Sequence, residues 1–102
     1  MFNPNMLNKI KKMQKEMMKA QQGLEESVFV GTAGGVVSVE VKGSKEVVSV
    51  KIEPEAVDPD DVSLLEDMIL AAMNDAMRQI EEKTEEIMAP YTSGLPGMGG
   101  MF

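Results

Sequence analysis

Half of the cationic side chains in this 102-residue chain lie within eleven positions near its N-terminus. The formal net charge is −7, but residues 1–24 hold five lysines against the single acid Glu16, a net charge of +4. Residues 25–102 hold five cationic and sixteen acidic side chains, a net charge of −11. A cationic segment on an acidic chain is typical of a surface that binds a polyanion. The five lysines are Lys9, Lys11, Lys12, Lys15 and Lys19.

Lysine amines neutralise phosphates as point charges, without the planar fork with which arginine reads guanine edges. The chain has a single arginine, Arg78, and few aromatic side chains on which unpaired bases could stack. The composition therefore favours contacts with the phosphates of a duplex and little direct readout of bases. An ordinary solvated helix face is the alternative explanation for the same lysines.

Several kinds of chemistry lack their usual side chains. The chain has neither cysteine nor histidine, so thiolate chemistry, imidazole bases and the common nitrogen and sulfur metal ligands are missing. Its longest clear apolar run, residues 69–73, is far too short to span a bilayer, and no run resembles a signal peptide. We therefore expect a cytoplasmic protein without a membrane span. The missing side chains favour a non-enzymatic protein without a cofactor or a small-molecule substrate, but the composition leaves an enzyme open, and carboxylates could still bind a hard cation.

The lysines lie on a predicted helix over residues 4–24, with Asn3 as its cap and Pro4 at its first position. Apolar or small residues recur in steps of four and three, which is typical of a helix that packs along another helix. We call this row the apolar seam. It consists of Met6, Ile10, Met13, Met17, Ala20 and Leu24.

The same periodicity places four of the lysines on the side of the helix opposite the apolar seam. In heptad notation Lys11, Lys12, Lys15 and Lys19 fall at positions b, c, f and c, and we call these four the lysine stripe. Lys9 falls at position g and flanks the seam. Helical spacing alone therefore predicts one outward cationic surface.

Three strands are predicted next, over residues 27–32, 34–42 and 46–53. In the second, Val37, Val39 and Val41 alternate onto one face, and in the third Val48, Val50 and Ile52 do the same. Gly43-Ser44 is predicted as a tight hairpin turn, and the glycine-rich residues 31–35 as a looser connection. The pattern favours a three-stranded antiparallel meander with one apolar face.

A long second helix is predicted from Pro59 to about Met88, with Asp58 as its cap and Pro90 as its stop. One helical turn is expected after Pro54. The first half of the long helix has a broad apolar stripe, which suggests burial against both the sheet and a second chain. Residues 91–102 are rich in glycine and methionine and are predicted to be a flexible tail.

In that order, these segments resemble the YbaB/EbfC family of bacterial nucleoid-associated proteins. The resemblance rests on the first helix "MLNKIKKMQKEMMKAQQGLEE", the segment "GTAGGVVSVEVKG", the "I-x-P" exit from the last strand, "LED" at 65–67, "AAMNDA" at 71–76 and the "SGLPGMGGMF" end. It covers nearly the whole chain, and residues 1–90 are expected to form one domain of this type.

The resemblance implies an α+β homodimer of α/β/α layers whose first and last helices project as arms. Family members bind duplex DNA with little sequence preference in the nucleoid, and some influence gene expression. Carried over by position, the DNA-binding residues here are Lys9, Lys11, Lys12, Lys15, Lys19, Arg78 and Lys83. This sequence departs from the family pattern in the glutamates that flank Lys83, so the first helix is expected to be the stronger contact.

Two other functions fit parts of the same pattern. A protein–protein interaction module would use the apolar seam and the eleven methionines to grip a partner helix. A protein that binds a hard cation through carboxylates would use acidic segments such as Asp58 to Asp61, although these fit a helix cap better than a calcium loop.

Overall fold

The computed structural model of the chain describes residues 4–92. It confirms the predicted α+β class, with an N-terminal helix, a three-stranded antiparallel meander and a long C-terminal helix. The elements are α1 (Pro4–Glu26), β1 (Val28–Ala33), β2 (Val37–Lys42), β3 (Val47–Ile52), a 3₁₀ turn (Pro54–Ala56) and α2 (Val62–Thr92).

The core lies between α2 and the face of the sheet formed by β1 and β2. Val37, Val39 and Val41 of β2 are at most 1% exposed, as their alternation predicts. Their partners across the ladder are Ala33, Gly31 and Phe29 of β1, so these residues share the covered face.

Glycine at position 31 allows α2 to lie directly on β1. A β-carbon at this position would overlap the carbonyl oxygen of Ala72 and the backbone nitrogen of Ala76. Both alanines are fully buried. Three small residues therefore bring the helix and the strand together at backbone distance, where any larger side chain would separate them.

The β2–β3 hairpin turns at the predicted position, but its loop is one residue longer than predicted. The Lys45 N–H donates to the Lys42 carbonyl at 2.8 Å, and Lys45 has a φ of 75°, so the loop contains Gly43, Ser44 and Lys45. Gly43 is needed because a β-carbon there would overlap the Leu24 carbonyl. Its N–H donates to the Ser27 carbonyl at 2.9 Å, so the loop docks against the end of α1.

Strand β3 departs from the regular alternation predicted for it. Glu40 lies opposite Ser49 and Val41 opposite Val47, so Val48 is an extra residue in a bulge. Val47, Val48 and Val50 are between 42% and 50% exposed, because α2 covers β1 and β2 but not β3. The predicted apolar face therefore exists, but the described chain covers only part of it.

The predicted start of the long helix is wrong by three residues. α2 begins at Val62, and its cap is Asp61, whose Oδ1 accepts hydrogen bonds from the Leu64 N–H at 3.3 Å and the Ser63 hydroxyl at 3.1 Å. Asp58 instead accepts from the Asp60 N–H at 2.9 Å and closes a local turn before the helix. The last carboxylate of the acidic segment therefore caps the helix. The helical turn expected after Pro54 is present as the 3₁₀ turn.

The predicted helix stop at Pro90 is also wrong, because α2 continues through Pro90 to Thr92. Pro90 lies so near the helix end that the hydrogen bond lost with its missing N–H affects only the last turn. α1 likewise runs two residues past its predicted end, to Glu26. The expected Asn3 cap and residues 93–102 of the predicted tail lie outside the described residues. Within residues 4–92, neither helix combines the length and apolar character needed to cross a membrane.

The close approach at Gly31 predicts opposite effects for two glycine-to-alanine substitutions. Gly31→Ala should destabilise the fold by about 1–3 kcal/mol, because α2 must move away from β1. Gly23→Ala is the matched control, since Gly23 lies within α1 and a β-carbon there meets no atom within 4 Å. That change should stabilise the protein by about 0.5–1 kcal/mol through helix propensity. Urea unfolding measures both, and equal shifts in one direction would contradict the role of Gly31.

Candidate nucleic-acid interface

α1 packs against the rest of the molecule only through its C-terminal half. Leu24 is 8% exposed and Met17 and Ala20 are half-buried, whereas Met6, Ile10 and Met13 are between 40% and 53% exposed. The predicted packing of the apolar seam along another helix is thus seen only near the end of α1. The N-terminal half extends from the body with both its apolar and its cationic sides open to solvent.

The last turns of α1 and the middle of α2 enclose a cleft against the hairpin loop. We call this space the junction cleft. Its lining consists of Gln21, Leu24, Glu25, Gly43, Ser44, Lys45, Met77, Ile80, Glu81, Thr84, Glu85 and Met88. The second half of α2 therefore pairs with the end of α1.

The lysine stripe is exposed along its whole length. Lys11, Lys12, Lys15 and Lys19 all lie on exposed positions, as does Lys9. Among residues 4–92, no carboxylate oxygen lies within 4.0 Å of any of these five amines. Glu16 is the one acidic residue in the first 24 positions, and it forms no ion pair with them. Five uncompensated positive charges therefore lie along some ten residues of one projecting helix.

The two α2 residues that the family resemblance implied as DNA contacts, Arg78 and Lys83, differ from the lysines of α1 because each lies next to a carboxylate. Arg78 Nη1 lies 3.7 Å from Asp75 Oδ1, and Lys83 Nζ lies 3.5 Å from Glu86 Oε1. Both pairs are at the surface, where such contacts contribute up to about 1 kcal/mol. Each of these two cations has to leave its carboxylate partner before it can bind a phosphate. The lysines of α1 have no carboxylate partner to leave among the described residues.

Sequence reasoning missed a polar contact between α2 and the free edge of β1. The Thr32 N–H donates to Asp75 Oδ2 at 3.0 Å, and Gln79 Nε2 donates to the Val30 carbonyl at 2.8 Å. Asp75 and Gln79 lie four apart, beside Ala72 and Ala76 of the apolar stripe, and this placement was the available signal. They satisfy backbone groups that another strand would otherwise pair with.

The acidic side chains do not form a metal site in the part of the chain that the structure describes. Across residues 4–92, no three carboxylates are grouped so that they could hold a metal ion. The segment from Asp58 to Asp61 instead makes the local turn and the helix cap described above.

Comparison with known proteins assigns the chain to a family. Residues 1–95 match the model of the YbaB/EbfC DNA-binding family. The chain belongs to the YbaB/EbfC family. This confirms the resemblance carried by the sequence segments, and the family is described by DNA binding and not by an enzymatic reaction.

Curated YbaB/EbfC relatives match over most of the chain. A nucleoid-associated protein of Oceanobacillus iheyensis is 50% identical, covering 96% of this chain and 97% of the relative. One from Clostridium novyi is 48% identical, covering 96% and 86%. One from Lachnospira eligens is 57% identical over a shorter stretch, covering 78% and 70%.

The fold also matches a solved structure. An uncharacterised protein of Helicobacter pylori superposes with a TM-score of 0.71 at 20% identity, covering 89% of this chain and 98% of that chain. At this identity the match supports the YbaB/EbfC fold alone.

Asp75 and Arg78 should differ in their contribution to stability although they form one ion pair. Asp75→Ala should cost about 1–2 kcal/mol, because the Thr32 N–H loses its acceptor. Arg78→Gln should cost less than about 0.5 kcal/mol, because the pair is exposed. Urea unfolding measures both variants, and hydrogen exchange at Thr32 should accelerate only in the first. Similar losses from the two changes would contradict this division.

Proposed function

We propose that this chain is a nucleoid-associated protein of the cytoplasm that binds duplex DNA through the lysines of α1. The observation that carries the proposal is the absence of any carboxylate partner for these five amines among residues 4–92. Membership of a DNA-binding family supports it, as do the relatives named nucleoid-associated proteins. An influence on gene expression and the lack of an enzymatic activity belong to the same proposal.

The binding mechanism is the release of counterions from the phosphate backbone. A dimer brings ten α1 lysines, of which only some can reach phosphates at once. If roughly four to six do so, the logarithm of affinity should fall with the logarithm of salt concentration at a slope of about −4 to −5. Lysine contacts with phosphates carry little sequence information, so unrelated duplexes should bind with similar affinity.

Arg78 and Lys83 contribute less than the lysines of α1 in this proposal. Each has to leave Asp75 or Glu86 before it meets a phosphate. Further glutamates surround Lys83 along α2, and their charges disfavour a phosphate there.

The homodimer in this proposal is supported by the apolar surface beside β3. Asp75 and Gln79 mark the side of α2 that faces β1, and Leu70 lies about 140° around the helix from Asp75. Leu70 therefore lies on the side of α2 away from the β1 edge, and it is 60% exposed. Leu70 and the exposed valines of β3 are thus apolar side chains that the described chain leaves uncovered beside a free strand edge, and we call them the Leu70 patch, which a second copy can bury.

Removing the lysine stripe should abolish most of the DNA affinity. In the variant Lys11→Gln, Lys12→Gln, Lys15→Gln and Lys19→Gln, mobility shift at low salt should show affinity lower by at least tenfold and a shallower salt slope. The matched control is Lys42→Gln, Lys45→Gln and Lys51→Glu, which changes the net charge by the same four units at lysines outside the proposed DNA contacts.

That control should retain most of the affinity and the slope of the original protein. Equal losses in both variants would mean that net charge, and not the stripe, determines binding. Unchanged binding in the stripe variant would overturn the proposal.

Light scattering tests the dimer independently of DNA. The unaltered chain should have a molar mass near 22 kDa, twice the 11.1 kDa of one chain. Leu70→Glu should shift the mass towards the monomer, because it places a charge in the buried patch. Met18→Glu is the control, since Met18 is 61% exposed on the lysine side of α1 and the charge change is the same. A dimer that is insensitive to Leu70→Glu would remove this patch from the interface.

A protein–protein interaction module is the second candidate function. The observation that favours it is the exposure of Met6, Ile10 and Met13, since an apolar helix face open to solvent can grip a partner helix. Pull-down from lysate with and without nuclease separates the two functions. Partners that persist after nucleic acid is destroyed favour the module.

A further inference from the structure

The junction cleft is large enough to receive side chains from another molecule. It has a volume of about 740 Å³, within the roughly 300–1,000 Å³ typical of ligand-binding clefts. Its apolar surface comes from Leu24 of α1 and from Met77, Ile80 and Met88 of α2. An apolar groove that is open on one side favours an apolar row of side chains over a compact polar ligand.

Charge around the junction cleft restricts what can enter it. Three carboxylates, those of Glu25, Glu81 and Glu85, line the cleft, against the single cation Lys45. Across residues 4–92, no cationic nitrogen lies within 4.0 Å of any of the three carboxylates. Such a rim repels DNA phosphates and attracts lysine or arginine. The matching occupant is a segment with an apolar row flanked by positive charges.

The N-terminal half of α1 has this chemistry. Ile10 and Met13 of the apolar seam are 40% and 47% exposed, and Lys9, Lys12 and Glu16 lie beside Met13 around a shallow groove on the helix, which therefore has a net positive charge. One copy cannot fill its own cleft with this segment. Ile10 lies fourteen residues before Leu24, so the two are about 21 Å apart along one helix.

We propose that the junction cleft receives the N-terminal half of α1 from a second copy of this chain. Ile10 and Met13 pack on its apolar floor, and Lys9, which flanks the seam, meets Glu81 and Glu85. The amines of the lysine stripe point away from the seam and stay available to phosphate. This contact is separate from the Leu70 patch and does not depend on DNA binding, since it forms between copies in the absence of DNA.

Disulfide trapping tests the contact directly, because the full chain contains no cysteine. An Ile10→Cys chain is mixed with a Thr84→Cys chain at low salt under mild oxidation, and mass spectrometry of the peptides identifies links between the two positions. The control mixes Thr84→Cys with Ser49→Cys, because Ser49 is exposed like Ile10 but lies on the outer face of the sheet. The first mixture should give at least fivefold more of the mixed link.

Charge variants of the Thr84→Cys chain test the acidic rim. Adding Glu81→Gln and Glu85→Gln should reduce the Ile10 link at least threefold, whereas adding Glu66→Gln and Asp67→Asn, which change the charge equally elsewhere on α2, should leave it unchanged. Circular dichroism verifies that each variant is folded. An Ile10 link no stronger than the Ser49 control overturns the proposal, and so does a link that both charge variants reduce equally. Since no DNA is present, failure here leaves the proposed DNA binding untouched.

Discussion

The backbone contact between α2 and β1 at Gly31, Ala72 and Ala76 determines the shape of the molecule. It fixes the helix over β1 and β2, where the buried valines of β2 complete the core. A helix of 31 residues rises about 46 Å, whereas a strand of six residues spans about 20 Å. α2 therefore has to continue past the sheet, and its second half pairs with the end of α1. The projecting arm is thus a consequence of a short sheet under a long, closely seated helix.

The same contact makes the two edges of the sheet unequal. On the β1 side, Asp75 and Gln79 reach down from α2 and satisfy the Thr32 N–H and the Val30 carbonyl. On the β3 side no element of the described chain covers the valines, which are between 42% and 50% exposed. One edge is thereby closed to further strands and the other is left apolar and open. An interface between copies is expected at β3 because α2 is displaced towards β1.

The sequence predicted the features that depend on a single periodicity. The helical period sets the angle between the apolar seam and the lysine stripe, whatever α1 packs against. The alternation along β2 likewise determines which of its residues share the buried face. The N-cap of α2, the residue at which α2 ends and the bulge in β3 could not be predicted, because local sequence rules are compatible with several positions for each. Asp58 and Asp61 can both cap a helix, and tertiary packing selected Asp61. Periodicity also shows that Met6 and Ile10 share a face, but not that the described chain leaves that face open.

The acidic total of the chain does not prevent α1 from attracting a polyanion, because charges act locally at physiological salt. The Debye length there is about 8 Å, whereas Lys11 lies thirteen residues, or about 20 Å, from Leu24, where α1 joins the body. α2 carries no acidic residue after Glu86, so its last turns add no negative charge to the arm. In the proposed DNA binding, phosphates near the tip of α1 therefore meet mainly its lysines, while the acidic body repels DNA that approaches from elsewhere. Lower salt increases the range of both the attraction by the lysines and the repulsion by the acidic body. The repulsion therefore partly offsets the gain in attraction. The salt slope of binding reports the difference between the two.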